Sequence, residues 1–239
     1  RLVGPSVTSV VSESQGIYDT RAFTVQNDRL VLEGERQLTV KGGFTFTPYQ
    51  YSQGHGWNSL STLMDASIDR SRRKNGFLYG FTRSTGTLTR YAASEGAPNR
   101  PTVRSSASSS LFAGYRTMSF GYVVYQGTTP VKHVLLGETV TGALVMVSVP
   151  LAGPFVPRKV VLRSATWSFD DIATSPCLYG VALTARKGST AYMYELDVRQ
   201  SLPKIIFKGQ MPGVFPLVHL SGQGRFSLPG QACTSLGCS

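Results

Sequence analysis

The sequence predicts an all-β fold, and within that class a β-propeller, on three observations. Charged residues make up only 15% of the 239 residues while Gly, Ser and Thr are abundant, which is typical of short strands joined by tight turns. Short apolar runs alternate with turn residues along the chain. A loosely spelled block of about forty residues recurs, and a repeat of this length made of strands indicates propeller blades.

Each block contains three runs that we predict to be strands. The first is an apolar step ending in Gly, and its copies are Leu78-Tyr79-Gly80, Leu135-Leu136-Gly137 and Leu178-Tyr179-Gly180. A Gly-containing turn leads to the second run, and the third run carries a basic residue beside a small one, as in residues 160–164. One aromatic residue closes each block, namely Phe112, Trp167 or Phe215.

The spacing inside the blocks supports a true repeat. The first Leu of a block lies 23, 22 or 25 residues before the proline that precedes or opens the third run. The closing aromatic follows that proline by 11, 10 or 12 residues. Between blocks the spacing varies, from 57 to 43 residues. A sandwich or a barrel would show similar strand spacing, so only the repeat favours the propeller.

The number of blades follows from the chain length. A weaker copy of the block runs from Ile17 to Phe46, preceded by a β-branched run at residues 6–11. We expect a single domain over residues 1–239 with five blades, while four blades of about 60 residues each are also compatible. Pairing of the N-terminal run with C-terminal strands is expected to close the ring and to cover both sheet edges.

The chain is strongly basic, which favours anionic partners. The net charge is +11 and the pI is near 9.8, a balance that suits acidic glycans or an acidic protein. Positive charge is concentrated at Arg70, Arg72, Arg73 and Lys74. This segment is a candidate anion-binding loop, with a protease-cleavage site or a solvated hairpin tip as alternatives. Nucleic-acid binding is not expected, since no basic stripe with stacking aromatics occurs.

The cysteines and the apolar runs bear on location. Cys177, Cys233 and Cys238 are expected to form one bridge in an oxidising compartment, with the pairing open, and three reduced thiols are the alternative. The chain starts at Arg1, which we interpret as processing of a secreted precursor. No apolar run is long enough to span a membrane, and no residue pattern calls for a cofactor or a metal.

No catalytic motif is recognisable, and we expect a binding protein rather than an enzyme. A glycosidase needs two carboxylates across a cleft, for which the adjacent Asp170 and Asp171 are candidates. Capping of a turn or pairing with a cation is the favoured role for these two side chains.

Carbohydrate binding suits the aromatic-rich segments better. Sugar sites stack an aromatic ring on the ring of the sugar, and nearby polar groups take its hydroxyls. The candidate residues for this role are Trp57, Asn58, Tyr79, Trp167, Asp170, Asp171 and Tyr179. For Tyr79 and Tyr179, which repeat at one place in the block, packing between blades is the favoured alternative.

The Leu-Tyr-Gly step followed by Gly86-Thr87-Leu88-Thr89-Arg90-Tyr91 resembles the small secreted propeller lectins of the tachylectin type. The resemblance is clearest from Leu78 to Phe215. It implies five four-stranded blades around a central channel, with N-acetylated sugars bound in pockets between blades. A structural propeller that docks an acidic partner is the second function considered, and a glycoside-acting enzyme is the third.

Overall fold

The computed structural model describes residues 6–12, 17–40, 43–66, 75–96, 100–176, 180–200 and 202–215. Within these ranges every regular element is a strand. The strands of the first two sheets are β1 (Ser6–Ser12), β2 (Ile17–Gln26), β3 (Arg29–Val40), β4 (Gly43–Gln53), β5 (Thr62–Asp65), β6 (Asn75–Thr82), β7 (Thr87–Gly96) and β8 (Arg100–Ser109). Those of the next two are β9 (Tyr115–Gln126), β10 (Thr129–Thr139), β11 (Leu144–Pro150), β12 (Arg158–Arg163), β13 (Asp171–Pro176), β14 (Gly180–Lys187), β15 (Thr190–Asp197) and β16 (Lys204–Gln210).

The sixteen strands form four antiparallel sheets, each a meander of four consecutive strands. The second, third and fourth sheets touch through their first strands, since β9 contacts both β5 and β13, and β5 contacts the second strand of the first sheet, β2. This arrangement is a β-propeller of four blades, so the predicted fold class is confirmed. The described ranges contain no apolar helix long enough to cross a membrane.

The three runs of each block are the second, third and fourth strands of a blade. The apolar step with Gly falls in β6 and β10 and reaches the start of β14, and the later runs fall in the two strands that follow. The first strands β5, β9 and β13 lie between the blocks, and the sequence did not predict them. Because β9 has twelve residues and β13 has six, they account for part of the unequal spacing.

Of the two blade numbers that the sequence allowed, the described residues have four. The weak copy at the N-terminus is a complete blade, in which the β-branched run forms β1 and pairs with β2. No additional blade is therefore needed to hold that run. The expected contribution of C-terminal strands to ring closure concerns residues after 215 and lies outside the described residues.

A backbone contact recurs in all four blades. After the fourth strand, the N–H of an aromatic residue donates to a carbonyl in the turn between the second and third strands of the same blade. The pairs are Trp57 with Asp28 (3.4 Å), Phe112 with Gly86 (3.0 Å), Trp167 with Gly142 (2.9 Å) and Phe215 with Ser189 (2.9 Å). The aromatic that closes the first blade is thus Trp57, within the loop that follows β4.

The core lies between neighbouring blades rather than inside one of them. Among the described residues, buried clusters fill three of the junctions: one between the first and second blades, one between the second and third, and one between the third and fourth. Strand β10 shows why: Leu135 packs in one cluster and Leu136 in the next. Successive side chains of a strand point to opposite faces, and a blade has a neighbour on each face.

Candidate functional site

A groove lined by aromatic rings lies at the junction of the third and fourth blades. Its volume is about 410 Å³, within the range of about 300–1,000 Å³ that small-molecule sites occupy. We call it the aromatic groove, and its lining residues are Arg163, Thr166, Trp167, Ser168, Phe169, Lys187, Tyr192, Tyr194 and Phe207.

Strand periodicity explains why three of these rings share one surface. Tyr192 and Tyr194 are two residues apart on β15, so their side chains leave the strand on the same face. Phe207 on β16 is the direct partner of Tyr194 in the strand pairing. Ring centroids of Tyr194 and Phe207 lie 5.2 Å apart, and Phe207 is one of the most exposed large apolar side chains among the described residues.

Two further rings come from the segment that joins the blades. Trp167 and Phe169 are both buried, and their centroids lie 5.0 Å apart in an edge-to-face contact. Trp167 also approaches Tyr194, with the centroids at 4.7 Å. These distances fall in the favourable range for aromatic pairs, so the rings form one connected surface from the buried Trp167 to the exposed Phe207.

Polar groups complete the groove. The Nε1–H of Trp167 is buried and donates to no acceptor among the described residues, which costs about 1–3 kcal/mol for a buried donor. Arg163 and Lys187 are exposed and add positive charge. Burial raises the pKa of Tyr194, partly opposed by Arg163, so the Tyr194 hydroxyl stays protonated and able to donate. The groove can therefore stack a ring and donate hydrogen bonds to its substituents.

Two side chains of the third blade hold Phe169 in place. Glu138, on β10, accepts a hydrogen bond from the backbone N–H of Phe169 at 2.9 Å. Arg116, on β9, donates to the carbonyl oxygen of Phe169 at 3.0 Å and lies 3.6 Å from the Glu138 carboxylate. Both backbone polar groups of Phe169 are thus fixed from the neighbouring blade. No local sequence pattern indicates this arrangement, because Arg116, Glu138 and Phe169 lie on separate segments of the chain that meet only in the fold.

Asp170 and Asp171 follow the groove but do not line it. Asp170 is exposed, accepts the N–H of Gly188 at 2.7 Å and lies 3.8 Å from Arg186. Asp171 is buried and accepts the N–H of Ile172 at 3.0 Å. Each carboxylate is engaged in local structure, as in the structural role that the sequence favoured.

Trp57 and Asn58 lie in a loop held by Asp28. The Asp28 carboxylate accepts the backbone N–H of Gly56 at 2.8 Å and that of Asn58 at 2.9 Å, and these hydrogen bonds lower its pKa. Trp57 is half-buried and packs on Tyr91, with ring centroids 4.8 Å apart. This contact repeats, at the junction of the first and second blades, the contact between Trp167 and Tyr194.

Tyr79 lies in the interior. Its hydroxyl is 2.9 Å from Nδ1 of His133, and both side chains are fully buried. His133 also meets Phe77 and Phe120 edge-to-face, while burial and Arg90 lower the pKa of His133 to about 3. Tyr79 therefore packs between the second and third blades, away from the aromatic groove.

Several predicted features lie outside the described residues. They are Tyr179, the basic segment with Arg70, Arg72, Arg73 and Lys74, and the three cysteines Cys177, Cys233 and Cys238. Within the described ranges, no three His, Cys, Asp or Glu side chains are grouped as a metal site would require.

Comparison with known proteins gives no family for this chain. A scan of protein-family models and a search of curated proteins found no match. The four blades also differ from the five that the resemblance to tachylectin-type lectins implies. The structure therefore defines a propeller, and the aromatic groove is its candidate binding site.

The sequence pointed to part of this groove. Trp167 was predicted as a ligand-binding residue, and Phe169 stands beside it in the chain. Tyr192, Tyr194 and Phe207 were not selected, although aromatics two residues apart on a strand are a readable signal of a shared face.

Proposed function

We propose that the protein binds glycans reversibly in the aromatic groove and performs no chemistry on them. The observation that carries this proposal is the connected surface of Trp167, Tyr194 and Phe207, with ring centroids 4.7 and 5.2 Å apart. Sugars present a flat C–H face that packs on aromatic rings, and hydroxyls that require hydrogen-bond partners. The groove offers both kinds of contact.

In the proposed binding mode, the aromatic rings of the groove stack on the sugar and its polar groups donate hydrogen bonds. The exposed Phe207 and the half-buried Tyr194 take the apolar face of a sugar ring. The Tyr194 hydroxyl donates to sugar oxygens, and the exposed Arg163 and Lys187 side chains offer further donors.

The proposal assigns no catalytic role to Asp170 or Asp171. Asp170 caps a turn and neighbours Arg186, and Asp171 accepts a backbone N–H next to it in the chain. Glycoside hydrolysis needs two carboxylates that face the scissile bond from opposite sides. Release of product from a chromogenic glycoside, abolished in Asp170→Asn or Asp171→Asn, would overturn this part of the proposal.

Binding to a glycan array, followed by competition with the free sugar, tests the function. Phe207→Ala is the informative variant, because Phe207 lies in the groove and is 56% exposed. Phe46→Ala is the matched control, since Phe46 is also 56% exposed but lies on β4 in the first blade. We expect Phe207→Ala to weaken binding about tenfold and Phe46→Ala to leave it unchanged.

Two results would contradict glycan binding. One is the absence of any glycan that free sugar displaces. The other is binding that disappears at high salt and is equal in the Phe207→Ala and Phe46→Ala variants, which would indicate docking of an acidic partner on the basic surface.

We also propose that the protein acts outside the cell. A protein recovered in the secreted fraction with one disulfide among its three cysteines would support that location.

A further inference from the structure

A second depression adjoins the aromatic groove through a shared residue, Arg163. Its volume is about 570 Å³ and its lining is largely polar. We call it the basic depression, and its lining residues are Leu162, Arg163, Ser164, Ala165, Gln200, Leu202, Pro203, Lys204 and Ile205. Arg163 ends β12 of the third blade, while Lys204 begins β16 of the fourth. The two depressions therefore form a continuous path across the same blade junction.

The charge along this path is positive. Arg163 and Lys204 are exposed, and no described carboxylate forms an ion pair with either of them. The nearby carboxylate is Asp197, the strand partner of Lys204, and Arg199 holds it through two contacts of 2.9 and 2.8 Å. These contacts, helped by Lys204, lower the pKa of Asp197 to about 2. Because Arg199 forms the ion pair with Asp197, Arg163 and Lys204 are left without an ion-pair partner among the described residues.

We propose that the ligand is an acidic oligosaccharide that occupies both depressions. One sugar stacks in the aromatic groove, and a carboxylate or sulfate on an adjoining sugar is held by Arg163 and Lys204. Arginine suits this role because its planar guanidinium donates two parallel hydrogen bonds to such groups, while lysine adds a point charge. The inference rests on the proposed glycan binding and specifies the class of glycan.

The test measures by isothermal titration calorimetry how tightly the 239-residue chain binds three probes. The probes are a heparin-derived tetrasaccharide, its desulfated and N-acetylated form, and the neutral tetra-N-acetylated chitotetraose, called chitotetraose below. The heparin tetrasaccharide carries sulfates and carboxylates, whereas its desulfated form carries carboxylates alone. We expect at least one of these two charged probes to bind more tightly than the neutral one. Arg163→Gln should weaken the charged probe about tenfold and Lys204→Gln about threefold. Binding of the neutral probe should be unchanged in Lys204→Gln, because Lys204 lines only the basic depression. The charged probe that binds more tightly identifies sulfate or carboxylate as the preferred group.

Lys132→Gln is the matched control for charge. Lys132 is an exposed cation on β10 that lines neither depression, so its removal changes the net charge equally. Equal losses in Lys132→Gln and Arg163→Gln would overturn the inference in favour of diffuse attraction. Equal affinity of the wild-type protein for charged and neutral probes would also overturn it.

The outcomes separate this inference from the function on which it rests. In one outcome chitotetraose binds, Phe207→Ala weakens that binding, and Arg163→Gln leaves the affinity for the charged probes unchanged. Glycan binding then stands, and the assignment to acidic glycans is wrong. If no probe binds, or Phe207→Ala has no effect on any of them, the proposed function itself fails. The melting temperature of each variant should stay within about 2 °C of wild type, since these are surface changes.

Discussion

The carboxylate of Glu138 accepts the backbone N–H of Phe169 at 2.9 Å across the junction of the third and fourth blades. Glu138 is fully buried, whereas Phe169 lines the aromatic groove. Arg116 completes the contact by donating to the carbonyl oxygen of Phe169. One buried acid thus supports both the packing of two blades and the base of the candidate site.

This contact makes stability depend on pH. Burial raises the pKa of Glu138 from 4.5 to about 7, with further increases from Asp170 and Asp171, against the opposing N–H of Phe169 and charge of Arg116. The folded protein therefore binds more protons than the unfolded chain between about pH 4.5 and 7. The contribution of Glu138 is fully present below about pH 4.5 and is lost as the pH rises towards 7.

Glu138→Gln should remove this dependence. The amide oxygen can still accept the N–H of Phe169, so above pH 7 the variant is expected to be more stable than wild type by about 1–3 kcal/mol. Melting temperatures from pH 4 to 8 measure the difference, and comparison at each pH removes the contributions of other groups. Glu33→Gln, on the half-buried Glu33 of β3, removes one carboxylate in the first blade and is the control for net charge. Parallel profiles for Glu138→Gln and wild type would refute the prediction.

Tyr79→Phe tests whether Tyr79 packs or binds ligand. The substitution leaves Nδ1 of the buried His133 without the hydroxyl that lies 2.9 Å away. We expect a loss of about 1–3 kcal/mol in the free energy of unfolding and no change in glycan affinity. Tyr125→Phe, at an exposed position of β9, is the control and should change neither quantity. A fall in glycan affinity with unchanged stability would return Tyr79 to the candidate ligand-binding residues.

The repeat in the sequence was enough to predict the propeller because strand periodicity and glycine turns are local properties. Gly86, Gly142 and Gly188 each precede a third strand with positive φ, so the same turn is visible in three blocks. The first strands β5, β9 and β13 were missed because they contact one another across blades and vary in length, from four residues in β5 to twelve in β9. Their position depends on contacts between blades, which no single block contains.

Only the part of the candidate site that lies on one continuous segment of the chain could be predicted from the sequence. Trp167 stands out as one of two tryptophans, so it was selected. Its partners Tyr194 and Phe207 come from two other strands, and their proximity follows from the pairing register. Arg163 lies in the previous blade. The groove and the basic depression arise from packing of two blades, which the sequence alone did not align.

Gly86 and Gly188 form a matched pair for the turn between second and third strands. Their φ values are +62° and +59°. A Cβ at Gly86 would lie 2.3 Å from the backbone nitrogen of Ala113, while a Cβ at Gly188 meets nothing within 4 Å. We expect Gly188→Ala to cost about 1 kcal/mol from backbone strain and Gly86→Ala more than about 3 kcal/mol. Urea unfolding measures both, and equal losses would show that the Ala113 segment moves away freely.

The two tryptophans distinguish the blade junctions by fluorescence. Trp57 packs on Tyr91 and Trp167 on Tyr194 with similar centroid distances of 4.8 and 4.7 Å, but Phe169, Tyr192 and Phe207 extend the surface only beside Trp167. The test uses two variants: Trp57→Phe, which retains Trp167, and Trp167→Phe, which retains Trp57. Each is titrated with the tightest-binding glycan from the array while its fluorescence is recorded. Because Trp167 lines the aromatic groove, a glycan bound there should change the emission of Trp57→Phe, and this variant should keep wild-type affinity. Trp167→Phe should bind more weakly and its Trp57 emission should stay constant. A response from Trp57 with an affinity equal to that of wild type would move the binding site to the junction of the first and second blades.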